Sequence, residues 1–169
     1  KQGALQIIGI DPVEARLEKA LSVGATNTVN PSKDDMYEAI EELTGGEGID
    51  IVVDATGDPE GFGQCLKIVK RWGMFVSFSL TGQGGKVSSF LHQEFMFKAA
   101  KIIPTQVAAT SQPTKDIRET IALKERGWID PGVLKSHNLD FSEVQKAYDM
   151  YARHEDGVIK VALSVNGLD

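Results

Sequence analysis

A chain of 169 residues with 41% hydrophobic and 25% charged side chains has an ordinary globular balance and is long enough for one domain with a real core. Its formal net charge of -6 excludes the basic face that nucleic-acid phosphates or anionic lipids require. The single cysteine, Cys65, cannot close an internal disulfide, and neither a membrane-length apolar run nor a signal-peptide pattern at Lys1 is present, so the expectation is a cytoplasmic protein without nucleic-acid or membrane partners.

The predicted elements begin with a short apolar strand from Ala4 to Ile10, which ends in an acid, Asp11. Pro12 then opens a helix carrying Val13, Leu17, Ala20 and Leu21 on one face, and Gly24 ends it. Asn27 to Val29 is a short extended piece, and Met36, Ile40 and Leu43 mark a second helix closed by Thr44, Gly45 and Gly46. The acids Asp34, Asp35, Glu38, Glu41 and Glu42 read as its solvated face rather than as metal ligands. Ile49 to Thr56 is a continuous apolar run, as in a strand buried on both faces.

A helix follows from about Pro59 to Arg71, then a strand from Met74 to Leu80 and a glycine-rich turn at Gly82, Gly84 and Gly85. Next come a helix near Phe90 to Ala99, a strand from Lys101 to Val107, and a helix from Pro113 to Arg126 capped by Gly127. A loop through Pro131, a helix from Ser142 to about Arg153 and a last strand from Val158 to Leu163 close the chain. Trp72 and Trp128 follow helices and are expected against the sheet rim. Strands alternating with crossover helices make a parallel, doubly wound α/β sheet the favoured architecture, in one domain.

In dinucleotide-binding sheets an acid at the tip of the second strand accepts hydrogen bonds from the adenosine ribose hydroxyls and repels a 2'-phosphate. Asp11 is placed for that task and would favour NAD over NADP, although an acid after a strand is also a common helix cap. The phosphate-binding G-x-G-x-x-G belongs about 20 residues before that acid, and only ten residues precede Asp11. Neither Gly57 to Gly63 nor Gly82 to Gly85 has the spacing. The first strand and helix of the fold are therefore expected from a longer chain or from a partner segment.

Read together, the stretches "IIGIDPVEARLEKALSVGATNTVNP", "ELTGGEGIDIVVDATG", "VKRWGMFVSF" and "VIKVALSV" resemble the cofactor domain of zinc-type medium-chain alcohol, polyol and threonine dehydrogenases, in order and over nearly the whole chain. The resemblance implies a partial Rossmann-type NAD-binding domain over residues 1–169, with the GroES-like catalytic domain and its zinc lying outside this sequence. It implies that Asp11 and Arg16 bind the adenosine ribose, that Ala55, Thr56 and Gly57 approach the adenosine side, that Phe78, Ser79 and Leu80 meet the nicotinamide, and that Lys160 stands near the pyrophosphate.

The activity so implied is hydride transfer between a small alcohol or carbonyl substrate and the nicotinamide. Homo-oligomers would form through the Lys101 to Val107 edge. No catalytic residue and no metal ligand is assigned to this chain: Cys65, His92, His137 and His154 are scattered, and the histidines read as surface or cap residues. Two rival readings stand beside this one, a non-catalytic nucleotide-binding module and an S-adenosylmethionine-dependent methyltransferase. The latter requires a terminal antiparallel hairpin.

Overall fold

A computed structural model of the chain describes residues 3–80, 85–105 and 112–165. The chain divides into two compact units, Lys1–Asp34 with Thr114–Asp169, and Asp35–Pro113.

In the first unit, strand β1 (Ile8–Ile10) is followed by helix α1 (Glu14–Ser22) and strand β2 (Asn27–Val29). The two strands pair in parallel, Ile8 opposite Asn27 and Ile10 opposite Val29. Leu17 of α1 and Val29 of β2 are buried. The same unit continues from α5 (Pro113–Glu125), whose first residue belongs to the other unit, through a short 3-10 turn at Pro131–Leu134 to β6 (His137–Asp140).

The Asp140 carboxylate accepts from Ser142 N–H, and the Glu143 side chain reaches back to the Asp140 N–H, a reciprocal cap on the short 3-10 turn Phe141–Glu143 that leads into helix α6 (Val144–Arg153). The last strand, β7 (Val161–Ser164), pairs in parallel with β6, His137 opposite Val161. A parallel pair joined by a helix is not a hairpin, so the element that the methyltransferase reading requires is replaced here by a β-α-β unit.

In the second unit, the Asp35 carboxylate caps α2 (Met36–Thr44) by accepting from the N–H groups of Tyr37 and Glu38, and Gly45 closes the helix in the left-handed region. Strands β3 (Ile49–Asp54), β4 (Val69–Ser77) and β5 (Lys101–Pro104) form a parallel sheet in that order, with crossover helices α3 (Gly61–Ile68) and α4 (His92–Lys98). Phe75, in the central strand, is fully buried and meets the edge of the Phe62 ring at 4.8 Å between centroids.

Several expectations change. The first strand is Ile8–Ile10 rather than one beginning at Ala4. Helix α3 ends at Ile68, because Val69 pairs with Ile49 in the sheet and no longer serves the helix. The register then shifts between Ile49 and Ile51, and the extra residues around Trp72 bulge outward, with Trp72 at φ 57. Trp72 is consequently exposed instead of packed on the rim, with the Arg71 guanidinium 4.8 Å from its ring centre, and Trp128, after α5, is exposed as well.

Strand β3 is not buried on both faces: Ile51 and Val53 are 58% and 57% exposed, while Val52 and Asp54 are buried. Helix α3 approaches only the Asp54 side, where a Cβ on Gly61 would lie 3.1 Å from Asp54 Oδ1. The strands form parallel groups β1-β2, β3-β4-β5 and β6-β7, each linked through helices, in keeping with the expected parallel, doubly wound α/β architecture. Strand β6 was hidden from the sequence because HNLD is short and polar. The expected ends of the strand from Lys101 and of the glycine-rich turn, at Gln106, Val107, Gly82 and Gly84, lie outside the described residues.

Phe75→Ala is expected to lower stability by about 3–5 kcal/mol in urea denaturation, since a fully buried ring is removed with little room for collapse. A loss under about 1 kcal/mol would show that the β3-β4-β5 core is not the stabilising centre of its unit.

Candidate functional site

Strand β1 stops at Ile10, so Asp11 stands at its tip, with its N–H directed at Val29 O at 3.4 Å. Asp11 Oδ1 accepts from the Val13 N–H at 2.8 Å, which turns the chain into α1. Arg16, in the first turn of that helix, is brought back to the same carboxylate, Nη1 lying 3.6 Å from Oδ2. The two side chains are 29% (Asp11) and 25% (Arg16) exposed, so the pair is neither sealed nor freely solvated. Among the described residues no hydrogen bond reaches Oδ2, which leaves one carboxylate oxygen at a helix start for outside donors. The cap and the ribose-binding readings of Asp11 therefore use different oxygens.

The other amino group of Arg16 makes a contact that sequence reasoning did not foresee. Nη2 lies 2.9 Å from Nδ1 of His154, the left-handed residue (φ 54) that ends α6. His154 is the exposed cap that was expected, but its ring has a specific neighbour; a separation of 138 positions left no local signal.

Lys160 precedes β7, and its backbone is held by Ser136, whose N–H and hydroxyl donate to Lys160 O at 2.9 and 3.1 Å. Its ammonium forms no ion pair among the described residues. It lines an open cavity of ≈ 210 Å³ with Ala147, Tyr148, Tyr151, Val161 and Leu163.

In the second unit the turn after β3 is organised by Asp54, a buried acid that sequence reasoning passed over. Its Oδ1 accepts from the Thr56 N–H at 3.0 Å and the Thr56 hydroxyl at 2.8 Å. Its backbone oxygen accepts from the N–H groups of both Phe78 and Ser79 at 3.0 Å. The ends of β3 and β4 are thereby tied together, and Ala55, Thr56 and Gly57 are brought beside Phe78, Ser79 and Leu80. Gly57 has φ 73, and a Cβ there would sit 3.4 Å from Leu80 O, so a side chain is disfavoured on both counts. The signal that could have found Asp54 is the acid closing the run V-V-D before A-T-G.

Ser79 Oγ is buried without a hydrogen-bond partner among the described residues, a costly state that an incoming polar ligand atom would relieve. Phe78 and Leu80, by contrast, are exposed. Thr81 lies outside the described residues. No group of three or more His, Cys, Asp or Glu side chains that could hold a metal occurs among the described residues. His137 sits on β6 with Nδ1 3.0 Å from Ser136 Oγ, and His92 opens α4.

Comparison with known proteins supplies a frame for these pieces. The profile of a family described as zinc-binding dehydrogenases matches residues 1–125. An alcohol dehydrogenase of Cupriavidus necator is 32% identical over 163 residues, covering 95% of this chain and 43% of that protein. An L-threonine 3-dehydrogenase of Bacillus velezensis is 31% identical over 157 residues, 93% of this chain and 44% of that protein. The crystal structure of benzyl alcohol dehydrogenase from Acinetobacter calcoaceticus superposes with a TM-score of 0.84 at 26% identity, covering 96% of this chain and 43% of that one. The chain thus spans less than half the length of these relatives.

Cys65, buried in α3, is suited to packing rather than chemistry. Burial, and after it the charge of Asp54, push its thiol up to about 12. Iodoacetamide at mildly alkaline pH is expected to modify it only in denaturant, and alkylation of the folded chain at the rate of a free thiol would contradict the burial. Above about pH 9 the unfolded chain loses this proton and the folded chain keeps it, so stability falls as pH rises from there toward about 12.

Proposed function

The chain belongs to the zinc-binding dehydrogenase family, and on that premise we propose that it is the NAD-binding portion of an alcohol or polyol dehydrogenase that passes hydride between a small alcohol or carbonyl substrate and the nicotinamide. The carrying observation is Asp11, locked through Oδ1 and open at Oδ2 at the end of a parallel strand. A carboxylate can accept from both adjacent hydroxyls of an adenosine ribose and repels a 2'-phosphate, which favours NAD over NADP. Arg16 lies against that carboxylate and orients it.

The remaining roles follow the chemistry of each residue. Thr56 and Gly57 offer a rigid turn with close backbone access for the adenosine side. The unpartnered Ser79 hydroxyl suits the polar carboxamide of a nicotinamide, with the apolar Phe78 and Leu80 flanking it. Lys160, lining an open cavity, offers a cation for a diphosphate. NAD, when bound, supplies the hydride acceptor; these side chains only bind and orient it.

The described residues do not fit a zinc ion, since no three His, Cys, Asp or Glu side chains come together among them. On this reading zinc and the substrate pocket belong to the part of the relatives' length that this chain does not span, and this stretch alone turns nothing over. An unpaired, buried cysteine suits a cytoplasmic setting, and no helix among the described residues is long and apolar enough to cross a membrane. Strand β5, bonded among the described residues to β4 alone, offers an edge for self-association.

Calorimetric titration should give NAD binding at least about tenfold tighter than NADP, with Asp11→Ala removing that preference, as expected for charge-assisted hydrogen bonds. Equal affinity for both cofactors in the wild type, or a preference that survives Asp11→Ala, would refute the ribose assignment. Ile103→Glu on the β5 edge should lower the oligomeric mass in light scattering, and an unchanged mass would remove that edge from the assembly.

A further inference from the structure

We propose that His154 is a positioning residue for cofactor binding, acting through Arg16 as a neutral hydrogen-bond acceptor. The inference rests on the assignment of Asp11 and Arg16 to the cofactor's ribose. A guanidinium only donates, so its 2.9 Å approach to Nδ1 requires that nitrogen to carry a lone pair, which makes the ring neutral with its proton on Nε2. Arg16 is then held at both ends of its fork, Nη1 toward Asp11 and Nη2 on His154. A long side chain that would otherwise sample many rotamers is pinned over the carboxylate, and less freedom remains to be lost when ligand binds.

The backbone of His154 points the same way. It ends α6 at φ 54, a conformation that glycine or asparagine adopts with less strain. A helix end that needed only a cap would be better served by either, whereas a ring is needed to reach Arg16. The charged groups around it are compatible with a neutral ring: Arg16 faces it from α1 with Asp11 behind, and on its own segment Arg153 and Glu155 pair with each other at 3.6 Å. A second proton on the imidazole would occupy Nδ1, abolish the acceptor and set two cations against each other, releasing Arg16 from one of its two holds.

Three variants of the full chain separate this role from simple capping, each titrated with NAD at about pH 8.5 and about pH 5.5 on either side of imidazole ionisation. His154→Gly relieves the backbone strain, so its melting temperature should equal or exceed the wild type's. Its NAD affinity at the higher pH should nevertheless fall about five-fold, the size of one net hydrogen bond. His154→Asn restores an acceptor near the Nδ1 position and should bind within about two-fold of the wild type. Having no titrating group, it should also lose the weakening on acidification that the wild type shows.

Wild-type affinity in His154→Gly, affinity in His154→Asn as poor as in His154→Gly, or equal acid sensitivity in the wild type and His154→Asn would each overturn the role while leaving the ribose assignment intact. Unchanged NAD affinity in the third variant, Asp11→Ala, would instead overturn the ribose assignment and this inference with it.

Discussion

Two neighbouring parallel strands cannot be joined by a tight turn, because the chain must return to the starting end of the sheet before it can run in the same direction again. Every strand pairing described in this chain is parallel, so every link between paired strands is a crossover, and strands such as β1 and β3 deliver their last residues into a loop that opens a helix. Within the second unit this puts the ends of β3 and β4 side by side, and the residues that follow them, Ala55 to Gly57 and Phe78 to Leu80, become neighbours although the paired residues Val52 and Phe75 are 23 positions apart in sequence. Binding groups gather at strand ends because the topology leaves them nowhere else to go.

Two aspartates at strand ends show how the surroundings of one side chain decide its use. Asp54 is buried and committed to the protein: its side chain holds Thr56 and its backbone oxygen holds the tip of β4. Asp11 is partly exposed, uses one oxygen to turn the chain and leaves the other open beside a guanidinium. The first is an organiser whose loss would release the Thr56 turn, and the second is a group that can answer to something outside the chain. Cys65 belongs with Asp54: burial keeps its thiol protonated and makes it part of the packing of α3.

The family relation and the local chemistry bear on different questions. A match over most of the chain to dehydrogenases establishes ancestry and fold, while the proposed preference for NAD rests on the charge at Asp11 and on what holds Arg16 against it. Ile51 and Val53 are exposed along β3 although the run reads as apolar throughout.

The order of strands and helices was legible from the sequence because each rests on short-range rules: α2 on apolar spacing and the Asp35 cap, β2 on a short β-branched run, the end of β1 on an acid followed by proline. Asp11 was legible as an acid at a strand end, whereas Arg16 was named beside it only through the family resemblance. What the sequence could not disclose depends on partners distant along the chain. Val69 leaves α3 for the sheet because Ile49 is there to pair with it, β6 exists because β7 lies beside it, and Ile51 is exposed because no element within its unit covers that face. His154 meets Arg16 only once α6 has returned to α1, and Asp54 becomes an organiser only once β4 ends beside β3. Hydrophobic period and capping are local and so are written in the sequence; pairing, burial and the neighbours of a polar atom are set by where distant segments come to rest.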